Sequence, residues 1–393
     1  MLHLFDRYDG SPRARQRLLD GLETQLAGVI ASRGRGDGSQ VAQAEADVKA
    51  DPGRCIRINA MGDATVYAAG RRYQGGRFEV LPLAALRTRS LAARERAGHP
   101  AAAVRFWIID GNSPINDIGA LQATARPGSL FQVASQFNCL ESPGAFVTDV
   151  AEYIHDPTQG PRASHSAFPG TLVRHYAAPA PDGGRFVQAT DTRQIELLGG
   201  VCAPGVAEVR NGYLRSPDVV DPAAFARVLE DRFDAVRVGV HDGVEVTLGA
   251  DWDGEVEAAP HRTIAQVFAS TLAAGMYGEL DESNQASMTI CRQLQRAAYL
   301  GTMLAAAALG KDRVVLTLIG GGVFANPMTV IWDAVLWAVD QIRDVLHRDL
   351  TVVVNGRTLS EQIPSAQLRA AAVARGGALI RVARGESPVV EGP

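Results

Sequence analysis

The stretch "LTLIGGGVFANPMTVIWDAV", Leu316–Val335, decides how the chain is read. Its first residues complete "RVVLTLI", Arg313–Ile319, an apolar and β-branched run suited to a central strand of a parallel sheet. Gly320, Gly321 and Gly322 follow, then Val323, Phe324 and Ala325. Asn326 reads as an N-cap and Pro327 as a first helical residue, so a helix is expected from about Met328 into the 340s. A strand, a glycine loop and a helix N-terminus in that order make an anion cradle. Backbone N–H groups point outward there, and glycine lets a phosphate approach them closely. The plainer reading is a tight turn. The loop is not a P-loop, because no Gly-Lys-Ser/Thr follows. The residues after Gly322 also break the G-x-G-x-x-G spacing of dinucleotide folds.

Working outward, "LTVVVN" (350–355) is a further strand, and 283–309 reads as a long helix stopped by Gly310. "VRFWIID" (104–110), "LFQVAS" (130–135) and "TIAQVFAS" (263–270) are strands. Residues 13–31 and 84–97 read as helices, with short strands around Arg57 and Val66 and at 77–83. "AVRVGV" and "VEVTLG" flank His241-Asp242-Gly243, which reads as a tight turn between two strands. Residues 177–184, "AAPAPDGG", read as an exposed loop or hairpin connection, and the last ten residues are expected to fray. Strands alternating with helices place the chain in the α/β class.

The 393 residues are 46% hydrophobic with a formal net charge of −4. That is ample for a packed core, and no basic field or lysine cluster points to nucleic acid or an anionic membrane. The only lysines are Lys49 and Lys311, an arginine bias expected of G+C-rich, bacterial coding. Cys55, Cys139, Cys202 and Cys291 are scattered without zinc-like spacing, so no metal and no cofactor is expected and the thiols read as reduced. Asp6, Arg7 and Asp9 interrupt any signal-like N-terminal pattern, and no apolar run reaches a membrane span. A cytoplasmic location is expected, with the oligomeric state left open.

The order of motifs resembles the macrodomain superfamily, which binds or hydrolyses ADP-ribose. The residues that carry the resemblance are "NDIGALQ" after the strand ending at Asp110, "FQVASQFNCLE" with Asn138, "TQGPRASHSAFPGTLVRHY" (158–176) and "GGGVFANP". It spans roughly 104–355, and the chain resembles a divergent branch that includes a macrodomain removing ADP-ribose from arginine. The Gln-Glu-Glu of poly(ADP-ribose) glycohydrolases does not follow the glycines. The resemblance implies a three-layer α/β/α fold with a mixed sheet. It places an N-terminal extension at 1–100, the ADP-ribose-binding domain at 101–358 with an insertion at about 177–260, and a helix, strand and tail at 359–393.

The resemblance also implies roles for named residues. Asp117 accepts from the adenine amine and the Ile118 N–H donates to the ring; read alone, Asp117 is equally a turn cap. Asn138 donates to a ribose hydroxyl, or is a left-handed loop residue. Thr158, Gln159, Gly160 and Ser164 meet the diphosphate together with Gly320, Gly321, Gly322, Val323, Phe324 and Asn326. Hydrolysis at an anomeric carbon needs carboxylates to relieve oxocarbenium-like charge and to move protons. The candidates are Asp242 and Glu245, with Glu141 beside Asn138. Asp251 and Asp253 bracket Trp252, a ring-stacking candidate. His241 reads as an exposed turn residue and Cys139 as a buried thiol. The expected activity is mono-ADP-ribosyl hydrolysis on a protein side chain, arginine among them. The alternatives are a non-catalytic ADP-ribose reader and a hydrolase of a free ADP-ribose derivative.

Overall fold

The computed structural model describes residues 1–36, 38–142, 144, 146–251 and 254–392. Eleven strands form one sheet. In chain order they are β1 (Ile56–Ile58), β2 (Asp63–Ala68), β3 (Arg71–Pro82), β4 (Val104–Gly111), β5 (Ser129–Ala134), β6 (Arg237–Glu245), β7 (Thr263–Ala269), β8 (Arg313–Thr317), β9 (Leu350–Gly356), β10 (Leu379–Val382) and β11 (Val389–Glu391). Their spatial order is β1-β2-β3-β6-β7-β5-β8-β9-β4-β10-β11. The run from β7 to β10 is parallel, and β1, β2, β3, β6 and β11 pair antiparallel at its flanks. The sheet is therefore mixed, as expected.

Every residue of β8 and β9 is buried, the signature of strands covered on both faces. Alternation along β4 shows the two layers that cover them. Phe106 faces Trp332 of the helix Met328–Gln341, with ring centroids 6.0 Å apart. Its neighbour Trp107 points to the opposite face and stacks on Phe5 at 4.5 Å. On the Phe106 side the helix Gln285–Leu309 crosses the sheet, capped by Asn284 and ended by Gly310 in the left-handed conformation (φ 63°). Gln132 of β5 reaches up to it, donating to the Ala298 carbonyl and to Thr302 Oγ1. The other face carries the helices Ile118–Ala123, Gln159–Ser166 and Phe168–Tyr176. This is the three-layer α/β/α arrangement with a mixed sheet.

Several expectations are corrected. His241-Asp242-Gly243 is no hairpin turn; all three lie inside the continuous strand β6, and His241 is fully buried. Its Nε2 meets the Gly75 carbonyl at 2.7 Å and its Nδ1 lies 3.2 Å from Arg174 Nη1. The stretch 158–176, which by the resemblance takes the place of the family's first phosphate loop, is two helices. Within the last ten residues, Val389–Glu391 form β11 and pair with β10. The helix after the glycines begins at Met328, with Pro327 rather than Asn326 at its cap. The hairpin connection at 177–184 is present, between Ala178–Pro179 and Arg185–Phe186. Strands from 1–100 and from 359–392 lie in the same sheet as those between them.

Candidate functional site

A cleft of about 720 Å³ opens at the carboxyl ends of β5, β8 and β9, where open α/β sheets hold ligands. One wall is the glycine loop. Gly320 (φ 77°) has the conformation that favours glycine, and a Cβ there would come within 2.5 Å of Thr271 Oγ1. Gly321 faces inward toward Met328 and Ile331, whereas Gly322 faces open space. Asn326 is buried and folds back on the loop. Its amide donates to the Leu272 and Phe324 carbonyls and accepts from Gln295 Nε2. It shapes the loop from behind instead of capping the helix. Among the described residues, the amides of Gly320, Gly322, Val323 and Phe324 donate to no protein acceptor. Such a run of outward N–H groups is an anion-binding concavity.

The facing wall is the start of the helix Gln159–Ser166, whose N-cap Thr158 makes no side-chain cap bond. The Gln159 and Gly160 amides, as first-turn donors, have no intrahelical partner. Asp156 accepts from the Thr158 N–H at 2.8 Å and from its hydroxyl at 2.6 Å, fixing the entry to the helix. Gly160 allows the helix to sit against β5: a Cβ there would lie 2.3 Å from both the Ala134 carbonyl and Glu141 Oε2.

Glu141 lines the cleft at the β5 end and is 8% exposed. Its Oε1 has no hydrogen-bond partner among the described residues. Burial pushes its carboxyl well above the ordinary carboxylate range, against a smaller opposing pull from Arg174. Its backbone is pinned, because its N–H donates to Tyr153 Oη, which meets His175 Nε2 at 2.8 Å. Burial lowers the His175 pKa to about 3, so that imidazole is neutral. Arg174 is buried behind this segment, with Nε donating to the Cys139 carbonyl and the guanidinium 3.6 Å above the Phe268 ring. Burial pushes the Cys139 thiol up to about 12, so it is no nucleophile at neutral pH.

Three aromatic rings close this side of the cleft. Tyr213 and Tyr277 stack at 5.0 Å, and Phe324 meets them edge-on at 6.0 and 5.4 Å. Tyr213 comes from the insertion, and Tyr277 from a turn with no periodic or compositional signal in the sequence. Asn355 was readable as the polar end of an apolar strand, yet sequence reasoning gave it no role. Asn116, beside the expected Asp117, was likewise missed; both asparagines line the cleft.

The expected residues divide. Thr158, Gln159, Gly160, Gly320, Gly321, Gly322, Val323, Phe324 and Glu141 surround the one cleft. Asp117 is fully buried outside its lining, where its carboxylate accepts from the Gly119 N–H at 2.9 Å and pairs with Arg162 at 3.3 Å. The Ile118 N–H is engaged by Gln159 Oε1 at 3.2 Å. Asn138 is buried, bonded to Gln194 and the Leu140 N–H; the left-handed residue is Cys139 (φ 63°), not Asn138. Ser164 is buried, with Arg174 Nη2 at 3.4 Å from its hydroxyl.

Asp242 and Glu245 are the clearest displacement. β6 runs antiparallel to β7, so Glu245 pairs with Thr263 at the start of β7, while the end of β7 at Ala269 pairs with the end of β5. Six residues of strand, roughly 20 Å, separate those levels. Asp242 is paired with Lys311 at 2.7 Å, and Glu245 accepts from the Gln74 N–H at 2.8 Å. Neither carboxylate lines the cleft. Trp252 and Asp253 lie outside the described residues. Among the described residues no group of three or more His, Cys, Asp or Glu is placed to hold a metal, and no helix is long and apolar enough to cross a membrane.

No protein-family model and no curated protein matches the chain. Solved structures similar to it include poly(ADP-ribose) glycohydrolase from Thermomonospora curvata, at 13% identity and a TM-score of 0.41 over 86% of this chain and 100% of that one. The enzyme of the same name from Deinococcus radiodurans, in apo form, is 12% identical, with a TM-score of 0.38 over 75% of this chain and 93% of that one. The same enzyme in complex with ADP-ribose is 10% identical, with a TM-score of 0.37 over 76% and 93%.

Proposed function

We propose that the chain is a mono-ADP-ribosyl hydrolase that releases ADP-ribose from a modified protein side chain, arginine being the one its motif order implies. The observation that carries this reading is one cleft holding two facing sets of amides and, beside them, a carboxyl oxygen, Glu141 Oε1, none of them with a protein partner among the described residues. Amides on the glycine loop and at the start of the helix Gln159–Ser166 suit a diphosphate. Glu141, at the β5 end, then lies beyond the diphosphate, where a distal ribose would reach.

A carboxyl that burial raises well above the ordinary carboxylate range is suited to general-acid work. In this scheme Glu141 gives its proton to the leaving nitrogen as the bond from anomeric carbon to nitrogen breaks. The carboxylate so formed faces the oxocarbenium-like carbon. It then takes a proton from the water whose oxygen bonds to that carbon, which restores the neutral acid. Met276 and Val323 stand exposed on the rim, 79% and 46%, leaving the mouth accessible to a side chain carried on a protein. That favours a protein-linked substrate over a free derivative. An unpartnered buried carboxyl favours chemistry over simple reading.

The test is incubation with peptides carrying ADP-ribose on Arg, Glu or Ser, and with poly(ADP-ribose), followed by measurement of released ADP-ribose. Release from the arginine-linked peptide is expected. Release from the polymer alone would move the activity to chain trimming. Binding with no release from any substrate would make the protein a reader.

A further inference from the structure

We infer that Glu45, on a helix of the N-terminal extension, is a positioning residue of the cleft: it fixes the turn Val150–His155, which carries the supports of both Glu141 and Thr158. This rests on the hydrolase reading above for what Glu141 does, and it adds a part played by the extension. Glu45 lies on the helix Ser39–Ala50 and is 2% exposed. Its Oε1 accepts from the Val150 N–H at 2.7 Å and from the Tyr176 hydroxyl at 2.7 Å. Its Oε2 accepts from the Ala151 N–H at 2.8 Å. A buried carboxylate is costly to hold unless its oxygens are bonded. Here both oxygens are bonded, by donors that lie 105 to 131 residues further along the chain.

The turn needs that partner. Val150 and Ala151 open it, and the first amides of a helical turn have no acceptor within the turn itself. Its N-cap, Asp149, makes no side-chain cap bond. The Glu45 carboxylate takes both amides instead, by charge-assisted bonds, which are the stronger kind. The helix that carries Glu45 is itself fixed. Val41, Ala44 and Val48 recur on one of its faces and pack, with Val66, Phe168 and Leu172, into an apolar cluster separate from the main core. Val150 belongs to the same cluster, so packing and hydrogen bonds hold the turn from one side. Lys49, one turn after Glu45, pairs with Asp149.

From its other side the turn reaches the cleft twice. Tyr153 Oη accepts from the Glu141 N–H at 3.0 Å. Asp156, which ends the turn, accepts from the Thr158 N–H at 2.8 Å and from its hydroxyl at 2.6 Å. Glu141, Asp156 and Thr158 all line the cleft. A turn of six residues thus sets both the acid and the wall that faces the glycine loop. Turns of this 3-10 type have poorer internal hydrogen bonds than α-helices, so the place of this one depends on what grips it. A misplacement of about 1 Å can cost 100-fold in rate. Releasing the turn from Glu45 would move the acid and the wall together.

The experiment compares the full chain with Glu45→Gln, Tyr153→Phe and Asp156→Ala. Val390→Ala, a truncation of a fully buried side chain in β11, is the stability control. A glutamine at position 45 keeps one acceptor but turns an N–H toward a second donor. The readouts are amide exchange at Glu141, Val150 and Ala151, affinity for ADP-ribose by calorimetry, and single-turnover release from an arginine-linked peptide. Glu45→Gln is expected to speed exchange at all three amides at least about tenfold, slow release at least about tenfold and weaken ADP-ribose binding at least about threefold. Tyr153→Phe should slow release with affinity kept within about threefold, and Asp156→Ala should weaken affinity by about threefold or more. Should Glu45→Gln not fold, Glu45→Asp keeps the charge, withdraws it by one methylene and should move the same readouts in the same direction. Effects in the Glu45 variant no larger than in Val390→Ala, at equal loss of melting temperature, would overturn the positioning role. An unchanged release rate in Tyr153→Phe would overturn the arm to Glu141. No release by the wild type from any linkage would end the hydrolase reading alone. Amide exchange at Glu141 would then decide: faster exchange in Glu45→Gln upholds the positioning role, and unchanged exchange overturns it.

Discussion

The carboxylates of β6 and the polar groups of the cleft contrast in how they are satisfied. On β6, Asp242 is paired with Lys311 and Glu245 accepts the Gln74 N–H. At the carboxyl end of the parallel strands, among the described residues, Glu141 has a bare oxygen, four amides of the glycine loop donate to no protein acceptor, and two asparagines and a glutamine leave one polar atom each without a partner. Folded chains pair nearly all their buried polar groups. A local concentration of unpaired ones is thus a sign of a ligand, whereas a satisfied carboxylate in a sheet contributes to structure. The difference favours Glu141 as the acid of the proposed scheme over Asp242 and Glu245, the first candidates in the sequence.

The largest expected effect breaks or sharpens that contrast directly. Glu141→Gln should slow release of ADP-ribose by about 10²–10⁴-fold, the usual loss for a positioned acid–base group. Asp242→Asn and Glu245→Gln should leave turnover within a few-fold, because neither lines the cleft and they lie roughly 13 Å and 20 Å of strand from its end. Rates are compared by single-turnover assay on an arginine-linked peptide. Wild-type turnover in Glu141→Gln, with loss in the other two, would return the chemistry to β6.

The next effect concerns the cradle. Gly322→Glu places a carboxylate where nothing lies within 4 Å, so the fold should be retained. The new negative charge faces the same amides that would hold a diphosphate. Affinity for ADP-ribose should fall at least about 100-fold, or about 2.8 kcal/mol at 1.4 kcal/mol per decade. Gly321→Glu is a poorer probe, since its Cβ would lie 3.0 Å from Met328 Cε inside the loop. Unchanged affinity in a Gly322→Glu variant of normal melting temperature would reduce the glycine loop to a turn.

The legible and illegible parts divide along physical lines. The strands β4, β5, β7, β8 and β9 and the helices at 12–31, 83–96, 285–309 and 328–341 declare themselves by apolar period and by caps, and the structure has them within a residue or two for most ends. The glycine loop is legible because its chemistry is local: a backbone conformation and a run of small residues. What the sequence could not show depends on contact across the fold. Asp242 and Glu245 look functional because a carboxylate in an apolar pattern asks for a partner, and the partners, Lys311 and the Gln74 amide, come from distant segments. Asp117 looks like a base acceptor until Arg162, from the next helix along, is brought against it. Glu141 stood as one of three carboxylates, because nothing in "CLES" says that its oxygen will be buried and bare.

The smallest expected effect isolates that burial. Burial raises the Glu141 pKa above its ordinary value of 4.5. Below about pH 4.5 the carboxyl is protonated in both folded and unfolded chains and contributes no pH dependence. As pH rises past that value the unfolded chain ionises first, so the wild type loses stability progressively until the folded-state pKa is passed. The slope is at most 1.36 kcal/mol per pH unit, or about one to two degrees of melting temperature per unit for a chain of this size. Glu141→Gln cannot ionise and should escape the loss. The histidines act in the opposite sense: burial lowers His165 from 6.5 to about 4 and His175 from 6.5 to about 3, so they withdraw stability as pH falls from about 6.5 to those values. They are common to both proteins and cancel in the difference. The variant's melting temperature minus that of the wild type should therefore be constant at low pH and widen from about pH 4.5 upward. A difference that stayed flat to pH 8 would mean that Glu141 titrates as it would in water. It would then be ionised when substrate arrives, and the proton for the leaving nitrogen would have to come from another group.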